Sequence, residues 1–238
     1  MKKKMNMKMK LLSPGSSNTK TAKNPIKSYI MHLSPYKQNS YGKNVCGHAS
    51  VGCATACLNS AGRGAFSNVQ SARIRKTDYF LSDKSAFLKQ LLGELITINS
   101  KNEEVAIRLN GTSDIDFISL LKVKLNADIL KSLTNIKFYD YTKNLKRAIQ
   151  YLGTDYHLTF SRSETNDLEC IEYLRLGGNV AVVFDKLPDT WNGFRVVSGD
   201  EDDLRYTDER GVVVGLVAKG KAKKDTTGFV INHTALGV

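Results

Sequence analysis

Apolar positions fall into short blocks separated by polar and turn-forming residues, and their spacing changes along the chain. The run Tyr29–Ser34 predicts a first strand. The pattern turns helical near Ser67 and stays so to about Phe80. Ser82-Asp83 can cap a second helix through Leu95, with Phe87, Leu88, Leu91, Leu92 and Leu95 on one face. Strands and helices then alternate. Val105–Leu109, Ile136–Tyr139, Tyr156–Phe160, Asn179–Phe184 and Gly211–Ala218 predict strands, and Gly193–Val197 a short strand or loop. Ile115–Ser132, Lys143–Tyr151 and Glu164–Leu176 predict helices, the last closed by Gly177-Gly178. Short apolar strands separated by helices imply βαβ units and parallel pairing.

Such a chain folds as an open doubly wound sheet or as a full or partial (β/α) barrel, and both bind ligands at the carboxyl ends of the strands. Each predicted strand exits into a polar cluster. Asn110-Gly111-Thr112-Ser113-Asp114 follows Leu109, and Asp140-Tyr141-Thr142-Lys143 follows Tyr139. Ser161-Arg162-Ser163-Glu164 follows Phe160, Asp185-Lys186 follows Phe184, and Lys219-Gly220-Lys221 follows Ala218. Five clusters in series predict a shared polar rim that binds a small-molecule ligand.

Composition narrows the class. Apolar residues make up 41% and charged residues 24% of 238, which excludes global disorder, a collagen-like chain and a coiled coil. No apolar run approaches the ~18–20 residues of a membrane span, so no membrane role is expected. The net charge of +12 is unevenly placed. Residues 1–77 hold 14 Lys and Arg and no Asp or Glu; the other 161 hold 21 basic and 23 acidic residues. Such asymmetry predicts affinity for nucleic acid or another polyanion, or a solubilising tail. Residues 1–28, rich in Lys, Ser, Pro and Asn, read as a basic flexible arm ahead of one domain at 29–238. Met1–Lys10 lacks the apolar core of a signal peptide, so a cytoplasmic protein with reduced cysteines is expected.

Cys46, Cys53 and Cys57 follow the spacing C-x6-C-x3-C within a loop at 44–64 made largely of Gly, Ala, Ser and Thr. Soft thiolates select iron–sulfur clusters, zinc or copper. Small residues let the backbone close around a cluster and donate N–H groups to its sulfurs. The paired C-x2-C knuckles usual for zinc are absent, and a four-ligand site would draw on His48 or Cys170. A cluster held by three cysteines leaves one iron open. The alternatives are buried structural thiols or catalytic ones. Cys170 sits on a helical face with Tyr173 and Leu174 and reads as a packed core residue.

Gly62-Arg63-Gly64 precedes a helix, and its Arg63 is a candidate anion grip. P-loop, dinucleotide-fold, serine-hydrolase and zinc-protease motifs are all missing. Asp114, Asp140 and Asp200 could together bind Mg²⁺ in a nuclease or transferase.

The blocks NVCGHASVGCATACLNSAGRG, RLNGTSDI, FYDYTK, YHLTFSRSE, GGNVAVVF, GDEDDLRY and GVVVGLVAKG resemble a family of uncharacterised bacteriophage and mobile-element proteins, over about residues 10–230. More remotely, three clustered cysteines followed by a β/α series are similar to the radical S-adenosylmethionine (SAM) enzymes. The spacing departs from that superfamily's C-x3-C-x2-C. The resemblance implies a partial (β/α) barrel with mostly parallel strands and a [4Fe–4S] cluster on Cys46, Cys53 and Cys57, with S-adenosylmethionine at the open iron. Asn110, Ser161, Ser163, Lys219 and Arg63 would then contact the cofactor. Arg162, Asp114, Asp140 and Lys143 would serve catalysis on a nucleic acid or nucleotide. The alternative is a phage or plasmid nucleic-acid-binding protein with a structural zinc or iron–sulfur site and no catalysis.

Overall fold

The computed structural model describes residues 9–15, 26–101 and 103–232. They form a mixed α/β fold on one ten-stranded, mostly parallel sheet that does not close into a barrel. The strands are β1 (Leu12–Pro14), β2 (Lys27–Met31), β3 (Val105–Arg108), β4 (Ile136–Thr142) and β5 (Tyr156–Ser161). They continue as β6 (Asn179–Phe184), β7 (Thr190–Trp191), β8 (Phe194–Ser198), β9 (Val213–Val217) and β10 (Val230–Ile231). Their spatial order is β1-β2-β3-β4-β5-β6-β9-β8-β7, with β10 beside β6. Only the edge pairs β1–β2 and β7–β8 are antiparallel.

The helices are α1 (Val51–Thr55), α2 (Ser67–Ser82), α3 (Lys84–Asn99), α4 (Phe117–Leu125), α5 (Ile129–Ser132), α6 (Leu145–Gln150) and α7 (Asp167–Arg175). Asp83 caps α3 through the Ala86 N–H at 2.9 Å, as the sequence predicts. The helix expected over Ile115–Ser132 is broken in two. Asn126 takes a left-handed φ of 53° at the end of α4, a conformation that asparagine tolerates and that stops a helix.

From β2 to β6 the spatial order follows the chain order without the reversal that marks a doubly wound sheet. Right-handed crossovers then stack the helices on one face. Alternate strand residues on that face, Ile107, Phe138, Leu158, Phe160 and Val182 among them, pack under α2–α4, α6 and α7. The opposite face carries no helix layer. Arg108, Tyr139, Tyr141, His157 and Ser161 alternate along it, partly covered by Leu204 and Tyr206.

The expected arm at residues 1–28 divides. Residues 1–8 and 16–25 lie outside the described residues. Between them Leu11 and Leu12 are buried, and β1 extends the sheet. Glu94 of α3 accepts the N–H groups of Leu11 and Leu12, at 3.0 and 2.9 Å, and the Lys76 ammonium donates to the Leu11 carbonyl at 2.8 Å. This stretch is thus an edge strand, because two adjacent leucines outweigh the turn-rich composition around them. Among the described residues no helix is long and apolar enough to cross a membrane.

Candidate functional site

A cavity of about 390 Å³ opens at the carboxyl ends of β3–β6 and β9, on the face that carries no helix layer. The cysteine loop forms its far wall, and Cys46, Cys53 and Cys57 all line it.

Local chemistry explains why the loop lies there. Ser50 caps α1, its hydroxyl accepting the Cys53 N–H at 3.1 Å. Glu164, just past β5, reaches across to accept the Ser50 hydroxyl at 2.6 Å and the Gly52 N–H at 2.8 Å. Gly52 is required by contact: a Cβ there would lie 2.7 Å from the Phe229 Cβ and 2.8 Å from a Glu164 carboxylate oxygen. At the other end of the loop the Asp114 N–H donates to the Val45 carbonyl at 2.9 Å. The Cys46 Sγ accepts the Tyr36 N–H at 3.4 Å and donates to the Thr112 carbonyl at 3.7 Å.

The thiols sit among cations. Burial pushes the Cys46 thiol up to about 12, against the pull of the Tyr36 N–H, while Cys57 and Cys53 push it further. Burial also raises Cys53, and the Lys143 ammonium opposes that rise. Lys143 is itself lowered by burial and held up by Cys53 and Asp114. The Arg73 guanidinium feels the Cys57 sulfur in the same sense. Among the described residues, however, no three His, Cys, Asp or Glu side chains are grouped to hold a metal ion. The thiols share a cavity without meeting at one point.

Asn110, Asp114, Lys143, Ser161, Arg162 and Lys219 also line the cavity, but most are braces. The Asn110 side chain closes its own loop, accepting from Ser113 and Ile115 at 2.9 Å and donating to the Ile115 carbonyl. Both Asp114 oxygens are engaged, one by Arg147 and the other by the Lys143 N–H at 3.0 Å. Arg162 binds Asp167 at 2.6 Å and donates to the carbonyls of Gly228 and Phe229. Its donors hold α7 and the segment leading into β10, which makes it a fixed cation in the cavity lining. Lys219 pairs with Asp200 at 2.5 Å. Lys143 donates to the Arg162 carbonyl at 2.9 Å, and its ammonium stands 5.2 Å from the centre of the Phe229 ring.

Asp140, Ser163 and Arg63 do not line the cavity. Asp140 belongs to the helix-covered face. There it accepts the N–H groups of Leu109 and Asn110 at 3.2 and 2.8 Å and the Tyr156 hydroxyl at 2.8 Å. Burial raises its carboxyl to about 6, against the pull of Arg108, Tyr156 and Asn110. Ser163 turns the chain toward α7, its N–H donating to the Asn166 side chain at 2.6 Å. Arg63 is exposed in the 3₁₀ turn Gly62–Ala65. Asp114, Asp140 and Asp200 form no magnesium group among the described residues. Cys170, on the inner face of α7, is buried in the core, as expected.

Sequence reasoning passed over the floor of the cavity. The Arg108 guanidinium is pinned by Asp203 at 3.1 Å and stacks over the Tyr141 ring at 4.6 Å. The signal was the polar parity of the strands: Arg108, Tyr139, Tyr141, His157 and Ser161 are the residues that face away from the core. Glu164, which fastens the cysteine loop, had no sequence signal beyond its place after a strand.

Residues 8–233 match the model of a family described as gene product 88. No curated protein and no solved structure matches, so nothing in the comparisons supports the radical-SAM resemblance.

Proposed function

The chain belongs to the gene product 88 family, a membership that carries no activity with it, and from its site we propose that Cys46, Cys53 and Cys57 hold an iron–sulfur centre beside a cavity that binds a small organic ligand. One observation carries this reading: three thiols of one loop line a single cavity at the carboxyl ends of parallel strands. Its volume of about 390 Å³ suits a ligand of cofactor size.

Among the described residues no three such side chains are already grouped around one ion, so the reading rests on donor chemistry: soft thiolates in a loop of small residues suit an iron–sulfur cluster. Lys143 beside Cys53, Arg73 beside Cys57 and the Tyr36 N–H on Cys46 offset the thiolate charge. When bound, such a centre supplies one-electron chemistry at an iron that has no protein ligand.

The chain's own residues would bind and orient the ligand. The Arg108–Tyr141 stack makes a rigid flat floor for an adenine or another planar ring. Phe229, Leu216 and Ala222 give the cavity an apolar wall. S-adenosylmethionine is the ligand to test first, with a nucleotide or nucleic acid as substrate. The one-directional winding from β2 to β6 is in keeping with a partial barrel.

Anaerobic reconstitution with ferrous iron and sulfide tests the reading. Wild type should turn brown, absorb near ~400 nm and retain iron. Cys53→Ala should lose both signals, and Cys170→Ala should keep them. Equal iron in wild type and Cys53→Ala would overturn the proposal. A colourless protein with stoichiometric zinc would replace it with the structural-metal alternative.

A further inference from the structure

The segment Lys219-Gly-Lys-Ala-Lys-Lys224 places four lysines in six residues at the mouth of the cavity. It forms a 3₁₀ turn, Gly220–Lys224, whose Ala222 is buried and lines the cavity wall. Lys219 lines the cavity too, and all four lysines are exposed. The turn abuts the segment after the cysteines: a Cβ on Gly220 would lie 3.0 Å from the Ala61 Cβ. That neighbouring segment carries exposed Arg63 and two exposed large apolar side chains, Leu58 at 60% and Phe66 at 57%.

Three features separate this collar from an ordinary solvated surface. Lys221, Lys223 and Lys224 make no ion pair among the described residues. The carboxylate next in the chain, Asp225, is taken up by its own turn, accepting the Val230 N–H at 3.0 Å and the Thr227 hydroxyl at 2.7 Å. A run of like charges without compensation makes a local positive potential that attracts a polyanion. The turn also supplies Lys219 and Ala222 to the cavity lining, and an exposed aromatic, Phe66, lies in the neighbouring segment.

We propose that this collar, residues 219–224 with 58–66, grips the backbone of a single-stranded nucleic acid and presents one of its nucleotides to the cavity. Lysines and Arg63 would hold phosphates, and Phe66 would stack a neighbouring base, the pairing of cationic groove and aromatic platform that single strands need. A stacked duplex would keep its bases from the cavity. This rests on the cavity being a ligand site, but not on the identity of its metal.

Fluorescence anisotropy with a labelled 12-nucleotide single-stranded RNA, titrated across a salt series, tests it on the full chain. Each phosphate contact contributes about 0.7 to the slope of log affinity against log salt. The triple variant Lys221→Gln, Lys223→Gln, Lys224→Gln should lower that slope by about 2 and weaken binding roughly 100-fold at 0.1 M salt. Phe66→Ala should weaken binding several-fold with the slope unchanged, which separates stacking from charge. The replaced side chains are exposed, and a thermal melt confirms that each variant folds.

An unchanged slope and affinity in the triple variant would overturn the proposal. So would equal affinity for duplex of the same sequence, or binding to phosphatidylserine vesicles with none to RNA. Cys53→Ala distinguishes the two readings. RNA binding retained without iron leaves the collar standing whatever the metal does; iron retained without RNA binding removes the collar alone.

Discussion

Glu164 should control how tightly the cysteine loop is held. Helix α1 has only five residues, far below the ~12–15 at which an isolated helix becomes even marginal. Its amino end is fastened by Glu164 through the Ser50 hydroxyl at 2.6 Å and the Gly52 N–H at 2.8 Å. Hydrogen bonds to a charged acceptor contribute about 1.5–3 kcal/mol each when well shielded, and water replaces part of that at a half-exposed site. Glu164→Ala should thus ease local opening of the loop by about 2 kcal/mol in total, roughly 30-fold in the opening equilibrium. Iodoacetamide labelling of the metal-free protein, read residue by residue by mass spectrometry at pH 8, measures this. The Ser50 hydroxyl and Gly52 N–H hold the Glu164 carboxyl below its ordinary range despite some burial. A depressed folded value means that its contribution is complete above the ordinary carboxylate range and is lost as pH falls through the folded value. The lock is therefore fully engaged at the assay pH. Cys53 should label about 30-fold faster in the variant, while Cys170, fully buried, stays at its wild-type rate. A Cys53 rate within threefold of wild type would refute the reasoning. Equal acceleration at Cys170 would refute it too, since that reports global unfolding.

Asp140→Asn should destabilise the fold by about 1–3 kcal/mol at pH 7, read by urea titration, because an amide N–H would then face the donors that the carboxylate accepts. The raised Asp140 carboxyl, about 6 when folded, adds stability that is complete below about pH 4 and fades as pH rises through 6; the Asn variant should show a flatter stability profile over that window. Removing residues 1–15 should lower the melting temperature measurably, since it exposes the surface covered by buried Leu11 and Leu12 and strands the Lys76 ammonium without its carbonyl.

Much of the fold was legible in the chain, for a physical reason. A strand buried under helices must present alternate large apolar groups, so Val105–Leu109, Ile136–Tyr139, Tyr156–Phe160 and Asn179–Phe184 stand out by hydrophobicity alone. Parallel pairing followed from the helices between them. The edges were less legible. β1 lies in a Ser- and Pro-containing stretch, and its two leucines acquire meaning only beside α3. β10 is two residues long, and the carbonyls just ahead of it, of Gly228 and Phe229, are held by the Arg162 side chain from 66 and 67 positions away. The site split in the same way. Loops after strands were recognisable as a rim, and the structure sets Asn110, Asp114, Lys143, Ser161, Arg162, Asp200 and Lys219 around one cavity. Which of them are braces depends on partners distant in sequence, as for Asp114 with Arg147 or Arg162 with Asp167, and no local pattern encodes that. Asp140 looked like a rim residue because it ends an apolar run. The strand continues through it to Thr142, and parity turns its side chain away from the cavity.

The place of β10 bears on when this site can form during synthesis. β5 pairs with the first half of β6, and β10 takes up the same edge farther along, at Val183 and Phe184. Phe229, the residue before β10, completes the wall against which α1 rests. A ribosome must therefore deliver residue 231 clear of its exit tunnel before thiols made some 180 positions earlier gain their shelter. Until then Cys46, Cys53 and Cys57 lack that wall, and the pocket assembles late, by contacts of long sequence separation. Any centre they hold would be delivered after residue 231 is in place, and expression under oxidising conditions would penalise the loading of the site more than the folding of the sheet.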